Sequence, residues 1–385
     1  MKIKSIECFV LADTLKETFY FSQWEYAERR ICVVKVTSES GHIGWGEGYG
    51  PAGVLKAGIE FLSPFLIGMN ALETETIWIK MYRRTLDYAR RGILVASISA
   101  IDVALWDLKG KILQQPVHLL LGGKKRDYVT AYATGLYYTK GEGLVDRLCE
   151  EAKQYVEFGY TAIKMKVGLS IEEDTEYVKK VRNTIGPNIK LMIDANHAYN
   201  LREAIILANS VEQYDISWFE EPISPEYYGQ YAELRSKTTI PIAGGECEYL
   251  RFGFQNLLQS KSVDIVQPDI CSTGGLTEAK RIATLATVYG VDVVPHTWGS
   301  GIAFSAALHF ISNLEIMPGR MFSPECFIEH DRSENPLREQ LTSSSMKFDN
   351  GKFVISDEPG LGFTLNEDAL YKYAIDDTAN KFAIK

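Results

Sequence analysis

The chain has 385 residues, 46% hydrophobic and 24% charged, with a formal net charge of -9. That is more chain than one ordinary core requires, so a large barrel plus a second domain is expected from a composition that is otherwise globular. The acidic balance, without any Lys/Arg run, argues against nucleic acid; no apolar run reaches about 18 residues, which argues against a membrane partner.

The opening "MKIKSIECFVLADTL" lacks a signal-peptide core, and a cytoplasmic location is expected. An acidic substrate remains open, because a metal and local lysines can invert the field inside one pocket. Cys8, Cys32, Cys149, Cys247, Cys271 and Cys326 show no CxxC or zinc-like spacing and read as reduced, small apolar side chains. Of these, Cys247 and Cys271 follow charged strand ends closely enough to line a pocket.

Residues 1–127 read as an α+β domain. "SIECFVLA" and "RRICVVKVTSESGHIGWGE" are antiparallel strands turning at Ser40-Gly41, and three stretches of helical periodicity follow, the last being "GILVASISAIDVALWDLKGKIL". Loops are expected around Phe19 to Trp24 and Gly46 to Pro51. Their aromatics and glycines suit either a cover over a pocket or a hydrophobic seam. Tyr20, Trp24, Tyr49 and Arg90 are candidate substrate contacts there, with Asn196 and Trp298 from the later chain.

Residues 128–355 read as repeated βα units. Short apolar runs end at Lys164 and Lys166, Asp194, Glu220, Glu246, Asp269 and His296, and "MFSPECFIEHD" supplies an eighth strand. The intervening segments are amphipathic and long enough for crossover helices. A parallel (β/α) barrel of the TIM type closes from this pattern, with its chemistry at the carboxyl ends of the strands. The tail, about 356–385, is expected to return to the first domain and complete it.

Strand parity places Lys164 with Lys166 and Asp194 with Asn196, and turns Glu221 away from Glu220. Asp194, Glu220 and Glu246 form a hard-oxygen set suited to Mg2+. Lys166 reads as a base and Lys164 as a stabiliser of charge on the substrate. Asp269 beside His296 reads as a dyad in which the carboxylate orients the ring.

The motifs "KMK", "DAN", "FEEP", "GGE", "QPD" and "PH", in that order on consecutive strands, resemble the enolase superfamily and its mandelate racemase/muconate lactonizing enzyme family. "AIDVALWDLKGK", "RRG", "VPHTWGSG" and "IEHDRSENPLR" are similar to acid-sugar members, the D-galactarolactone cycloisomerases and related dehydratases. The resemblance implies a modified TIM barrel under an N-terminal capping domain whose loops choose the substrate. It implies Mg2+ on Asp194, Glu220 and Glu246, with Lys166 and the Asp269–His296 dyad flanking the substrate's α-carbon. An eighth-strand glutamate on the substrate carboxylate is also implied: Glu325 and Glu329 share a face, and Glu329 is preferred.

The expected reaction is abstraction of the proton α to a carboxylate through an enediolate, then β-elimination: cycloisomerisation of an acid-sugar lactone or anhydrosugar, or dehydration of an acid sugar. Racemisation or epimerisation of a 2-hydroxy acid, and a non-catalytic sugar-acid-binding barrel, are the alternatives. The partner is a small acid sugar or its lactone, and the expected assembly is a homo-oligomer.

Overall fold

The computed structural model describes residues 1–316, 319, 321, 325–344 and 347–375. A three-stranded antiparallel sheet opens the chain: β1 (Ile3–Phe21) and β2 (Trp24–Ser38) form a long hairpin, and β3 (Ile43–Gly48) pairs with β2. The stretch from Phe19 to Trp24, expected as a loop, is the hairpin tip, with Phe19 opposite Tyr26 and Phe21 opposite Trp24. Alternation explains the difference, since Phe19 and Phe21 bury on one face while Tyr20 takes the other. Gly46 to Gly48, also expected in a loop, continue as strand against Val34 to Cys32.

Three helices, α1 (Ala52–Leu62), α2 (Thr74–Thr85) and α3 (Ile93–Leu113), pack with this sheet. The glycines of β3 let α3 approach. A Cβ on Gly44 would stand 2.1 Å from Ala104 O, and one on Gly46 2.1 Å from Ala100 O. A short α4 (Val117–Leu120) leads out of the domain.

Eight parallel strands follow: β4 (Tyr128–Thr134), β5 (Ala162–Lys166), β6 (Lys190–Asp194), β7 (Ile216–Glu220), β8 (Ile242–Gly244), β9 (Ile265–Val266), β10 (Asp292–Val293) and β11 (Phe327–Asp331). Their order is β10-β9-β8-β7-β6-β5-β4-β11, and among the described residues no ladder joins β10 to β11. The crossover helices are α5 (Leu144–Glu157), α6 (Ile171–Ile185), α7 (Leu201–Val211), α8 (Tyr228–Arg235), α9 (Leu250–Gln259), α10 (Gly275–Tyr289) and α11 (Gly301–Asn313). This is the modified TIM barrel that was expected.

Register aligns the chemistry. Lys166 lies opposite Asp194, and Asp194 opposite Glu220, so the three share one rung. Two residues earlier on the same strands, Met192 and Trp218 point into the barrel and pack with Tyr132, Ala162 and Phe327 as an apolar floor. Period-two alternation thus makes an apolar layer beneath a charged one.

After the barrel come α12 (Pro336–Gln340), β12 (Thr342–Ser344), the β13 (Phe348–Asp349) and β14 (Lys352–Val354) hairpin, β15 (Phe363–Leu365) and α13 (Glu367–Tyr373). β14 pairs antiparallel with β4. The tail reaches the first domain, where Ile375 N donates to Val10 O at 2.9 Å and Ala374 bridges Leu11. Residues 376–385, included in the expected tail, lie outside the described residues. No helix among the described residues is long and apolar enough to cross a membrane.

Candidate active site

Lys164 and Lys166 both project into the barrel mouth and both are buried. Lys164 Nζ lies 2.5 Å from Glu220 Oε1, 2.9 Å from Glu329 Oε1 and 3.5 Å from Asp194 Oδ2. Burial pulls its pKa down, but Glu220, Glu329 and Asp194 outweigh that and hold the ammonium well above the usual lysine range. Lys166 Nζ donates to Asp194 Oδ2 at 2.6 Å and to Asn196 Oδ1 at 2.7 Å.

The acids differ in their environments. Burial pushes Asp194 up, yet Lys166 and Lys164 outweigh it and hold its carboxyl below the usual range. Glu220 is pushed up to about 7: burial and the charges of Asp194, Glu329 and Glu246 exceed the pull of Lys164. Glu220 Oε2 accepts from Trp218 Nε1 at 3.0 Å and Gln267 Nε2 at 2.7 Å. Glu246, two residues past β8, turns Oε2 toward His296 Nε2 at 3.6 Å.

Asp269 and His296 lie beyond their two-residue strands rather than at their ends, because β9 and β10 stop early. Side-chain bonds hold them instead. Asp269 Oδ2 meets His296 Nδ1 at 2.7 Å, while Asp269 Oδ1 accepts from Cys271 N at 2.7 Å. Burial pulls the imidazole pKa down, but Glu246, Asp269 and Glu329 raise it to about 10, which favours the protonated ring. Glu329 is brought down to about 2 because Lys164, His296 and bonds from Thr297 N and Thr134 Oγ1 outweigh its burial.

The two eighth-strand glutamates separate clearly. Glu329 joins the mouth. Glu325 sits at the opposite end, accepting from Thr130 Oγ1 at 2.8 Å with Lys190 at 3.5 Å, beside a cavity of about 430 Å3 lined also by Trp218 and Phe327. Strand parity gave both one face, but four residues along a strand span about 13 Å.

Of the other expected contacts, Asn196 bonds Lys166, the Tyr49 ring lies 5.3 Å from His296, and Trp298 meets Tyr26 edge-on at 4.8 Å. Tyr20 faces away from the mouth and donates to Glu25, Trp24 is 49% exposed at the hairpin tip, and Arg90 is exposed. The structure therefore does not bring these three to the mouth. Phe21, one residue from Tyr20, lies with its ring 4.6 Å from Lys166 Nζ, and Tyr137 is at 5.4 Å. Phe19, Phe21, Tyr26, Tyr137 and Trp298 form an aromatic roof, with Arg29 stacked 4.4 Å from Trp298 and paired to Asp331 at 3.0 Å.

Sequence reasoning missed Phe21, Tyr137, Trp218, Gln267, Thr134 and Arg29. Trp218 and Gln267 had a signal, since each stands two residues before a charged site residue. The cysteines are free, and Cys247 lies against His197 rather than in the mouth.

A capped parallel barrel carrying two lysines, four carboxylates and an Asp-His pair at its mouth is the arrangement of an enolase-type enzyme. Residues 5–122 match the mandelate racemase / muconate lactonizing enzyme N-terminal domain and residues 147–369 the enolase C-terminal domain-like model. The chain belongs to the mandelate racemase/muconate lactonizing enzyme family of the enolase superfamily. It is 40% identical over 380 residues to a D-galactarolactone cycloisomerase of Agrobacterium fabrum, covering 98% of this chain and 100% of that one. An arabinonate dehydratase of Saccharolobus solfataricus is 38% identical over 347 residues, covering 89% and 90%. The crystal structure of the 3,6-anhydro-D-galactonate cycloisomerase from Zobellia galactanivorans superposes with a TM-score of 0.90 at 51% identity, covering 98% of this chain and 100% of that one. The chain is accordingly an enzyme of the cycloisomerase and acid-sugar dehydratase kind.

Proposed function

We propose that this enzyme removes the proton α to the carboxylate of a cyclic acid sugar and expels the ring oxygen from the β-carbon, as a cycloisomerase. One observation carries the reading: Lys166 on β5 and His296, three residues past β10, are each fixed by a carboxylate, at 2.6 and 2.7 Å, and Glu329 reaches both Lys164 at 2.9 Å and His296 at 3.9 Å.

Lys166 takes the α-proton, and the electron pair passes into the carboxylate to give an enediolate. Lys164, held charged, stabilises the new negative charge. The electrons then return, the bond from the β-carbon to the ring oxygen breaks, and His296, present as imidazolium, protonates that oxygen. The enol left behind tautomerises to a 3-deoxy-2-keto acid, so no water is lost and the reaction is an isomerisation.

Asp194, Glu220 and Glu246 would hold Mg2+. The donor set fits: three hard-oxygen carboxylates, one of them pushed up to about 7 by burial and its acidic neighbours. When bound, the cation supplies Lewis-acid stabilisation of carboxylate charge.

The roof supports a cyclic rather than an open-chain substrate. Phe21, Tyr137, Trp298 and Tyr49 present rings over the mouth, suited to the C–H face of a compact sugar ring, whereas an extended polyol needs many polar partners. The two cycloisomerases described above act on cyclic acids, which agrees.

Proton NMR in deuterium oxide with Mg2+, on anhydro-aldonates, aldarolactones and open-chain aldonates, tests the reading. Conversion of a cyclic acid to a deuterated 3-deoxy-2-keto acid is expected. Turnover of open-chain acids alone would make the enzyme a dehydratase, and α-exchange without elimination would make it a racemase or epimerase.

A further inference from the structure

Among the described residues, one set of three metal-ligating side chains has donor atoms all within 4.8 Å of one another, and it is not the expected carboxylate set. It is His197, Glu221 and Cys247. Each follows an expected Mg2+ ligand, by three residues after Asp194 and by one after Glu220 and Glu246. His197 and Glu221 have left-handed backbones, φ +69° and +41°, and Gly245 has φ +128°. Those turns carry the three side chains out of the mouth. Main-chain bonds fix them together, His197 N to Glu221 O at 2.8 Å and Glu221 N to Ala243 O at 3.0 Å.

We propose that His197 Nε2, Glu221 Oε2 and Cys247 Sγ form a second cation site, selective for a borderline-soft divalent ion of the Zn2+ type. Nε2 lies 3.0 Å from Oε2 and 3.6 Å from Sγ. Ligand bonds of zinc length in a tetrahedron set those edges at about 3.3 and 3.6 Å. Glu221 is 1% exposed, and its Oε2 finds no hydrogen-bond donor even though His197 Nε2 approaches it. That oxygen, buried with no partner in hydrogen-bonding geometry, is left with lone pairs free to meet a cation. Glu248 Oε2 is also buried without a donor, and a cavity of about 10 Å3 beside the trio is lined by Glu221, Cys247, Glu248 and Tyr231. His197 and Cys247 remain partly exposed, which leaves the fourth position to solvent.

Mixed N, O and S donors favour Zn2+ or Co2+ over Mg2+, whereas Asp194, Glu220 and Glu246 offer oxygen alone. The difference is visible spectroscopically. Co2+ bound through a thiolate has a near-ultraviolet sulfur-to-metal charge-transfer band, which an all-oxygen site lacks.

The test is titration of the Mg2+-saturated enzyme with Co2+, for wild type, Cys247→Ser and His197→Gln, with circular dichroism confirming that each variant is folded. The expected result is a thiolate band in wild type that one equivalent of Zn2+ abolishes, no band in C247S, and at least tenfold weaker binding in H197Q. The proposal is overturned if Co2+ binds with only weak visible bands, if it is not retained, or if the band survives in C247S, where another of the six cysteines would be the ligand. The thiolate band reads this site whether or not the mouth carboxylates hold Mg2+.

Discussion

Glu47, on the last strand of the cap, closes the amino terminus of barrel helix α11 by accepting from Ser300 N at 3.0 Å. Ala303 N adds a bond at 3.3 Å, and Ser300 Oγ donates as well. Asp102 does the same for α10, accepting from Thr277 N at 2.9 Å and Thr277 Oγ1 at 2.6 Å. The cap therefore grips the barrel through buried carboxylates set on helix starts, a favourable place for an acceptor. One grip lies four residues from His296. Replacing Glu47 by Ala should lower unfolding free energy by about 1–3 kcal/mol, through the donors left unpaired. Gln, whose amide oxygen still accepts, should retain most of that in urea denaturation, and equal losses for the two variants would refute the role.

The same carboxyl predicts a pH dependence. Burial, only partly opposed by the bonds from Ser300 and Ala303, pushes Glu47 up to about 7. A folded-state pKa above the unfolded value means the folded state holds the proton more tightly. The associated stabilisation is full below about pH 4.5 and is lost as pH rises through about 7. The thermal midpoint of wild type minus that of Glu47→Gln should fall between pH 5 and pH 8; a flat difference would show that Glu47 stays ionised.

Lys166→Ala should reduce kcat on the true substrate by about 10²–10⁴-fold, the usual share of one general base. The thermal midpoint should move little in comparison. Activity within a few-fold of wild type would remove Lys166 as the base.

Asp269→Asn tests the dyad through His296. The amide cannot hold Nδ1–H as a carboxylate does, so the imidazolium is destabilised and elimination should slow by about 10²-fold or more while KM changes little. α-Proton exchange, which needs only Lys166, should fall less than elimination. Equal losses in the two NMR signals would contradict a separate acid.

Binding of Mg2+ to the folded state alone stabilises it by about 2.7 kcal/mol at one hundred times Kd, so the thermal midpoint must rise with Mg2+ concentration. Glu246→Gln should shift that dependence to higher concentration. EDTA should abolish turnover, and Mg2+ should restore it. A midpoint indifferent to Mg2+ would argue against the carboxylate site.

Much of the mouth was legible because strand parity is rigid over five residues. Lys164, Lys166, Asp194 and Glu220 each lie within a regular strand, so alternation alone fixes their face. Glu246, Asp269 and His296 were found by position but not by geometry, since strands of two or three residues end before them. The roof was harder to read. Ser22 and Gln23 at the hairpin tip resemble any polar turn, and which neighbouring aromatic faces Lys166 depends on a register shift between Thr14 and Phe19. Glu47 and Asp102 leave no local pattern at all, because their partners lie well over a hundred residues away. Gly46 reads as a loop residue for the same reason: the helix that excludes its side chain is remote in sequence.

Three mouth acids accept a hydrogen bond from a main-chain amide: Asp194 from Asn196, Asp269 from Cys271, and Glu329 from Thr297, at 3.0, 2.7 and 3.0 Å. These donors are anchored in the backbone and cannot rotate as water does. The protein thus supplies a solvent already frozen in the orientation that the charges require, and in the proposed reaction little of the barrier would be spent turning dipoles as the proton leaves carbon.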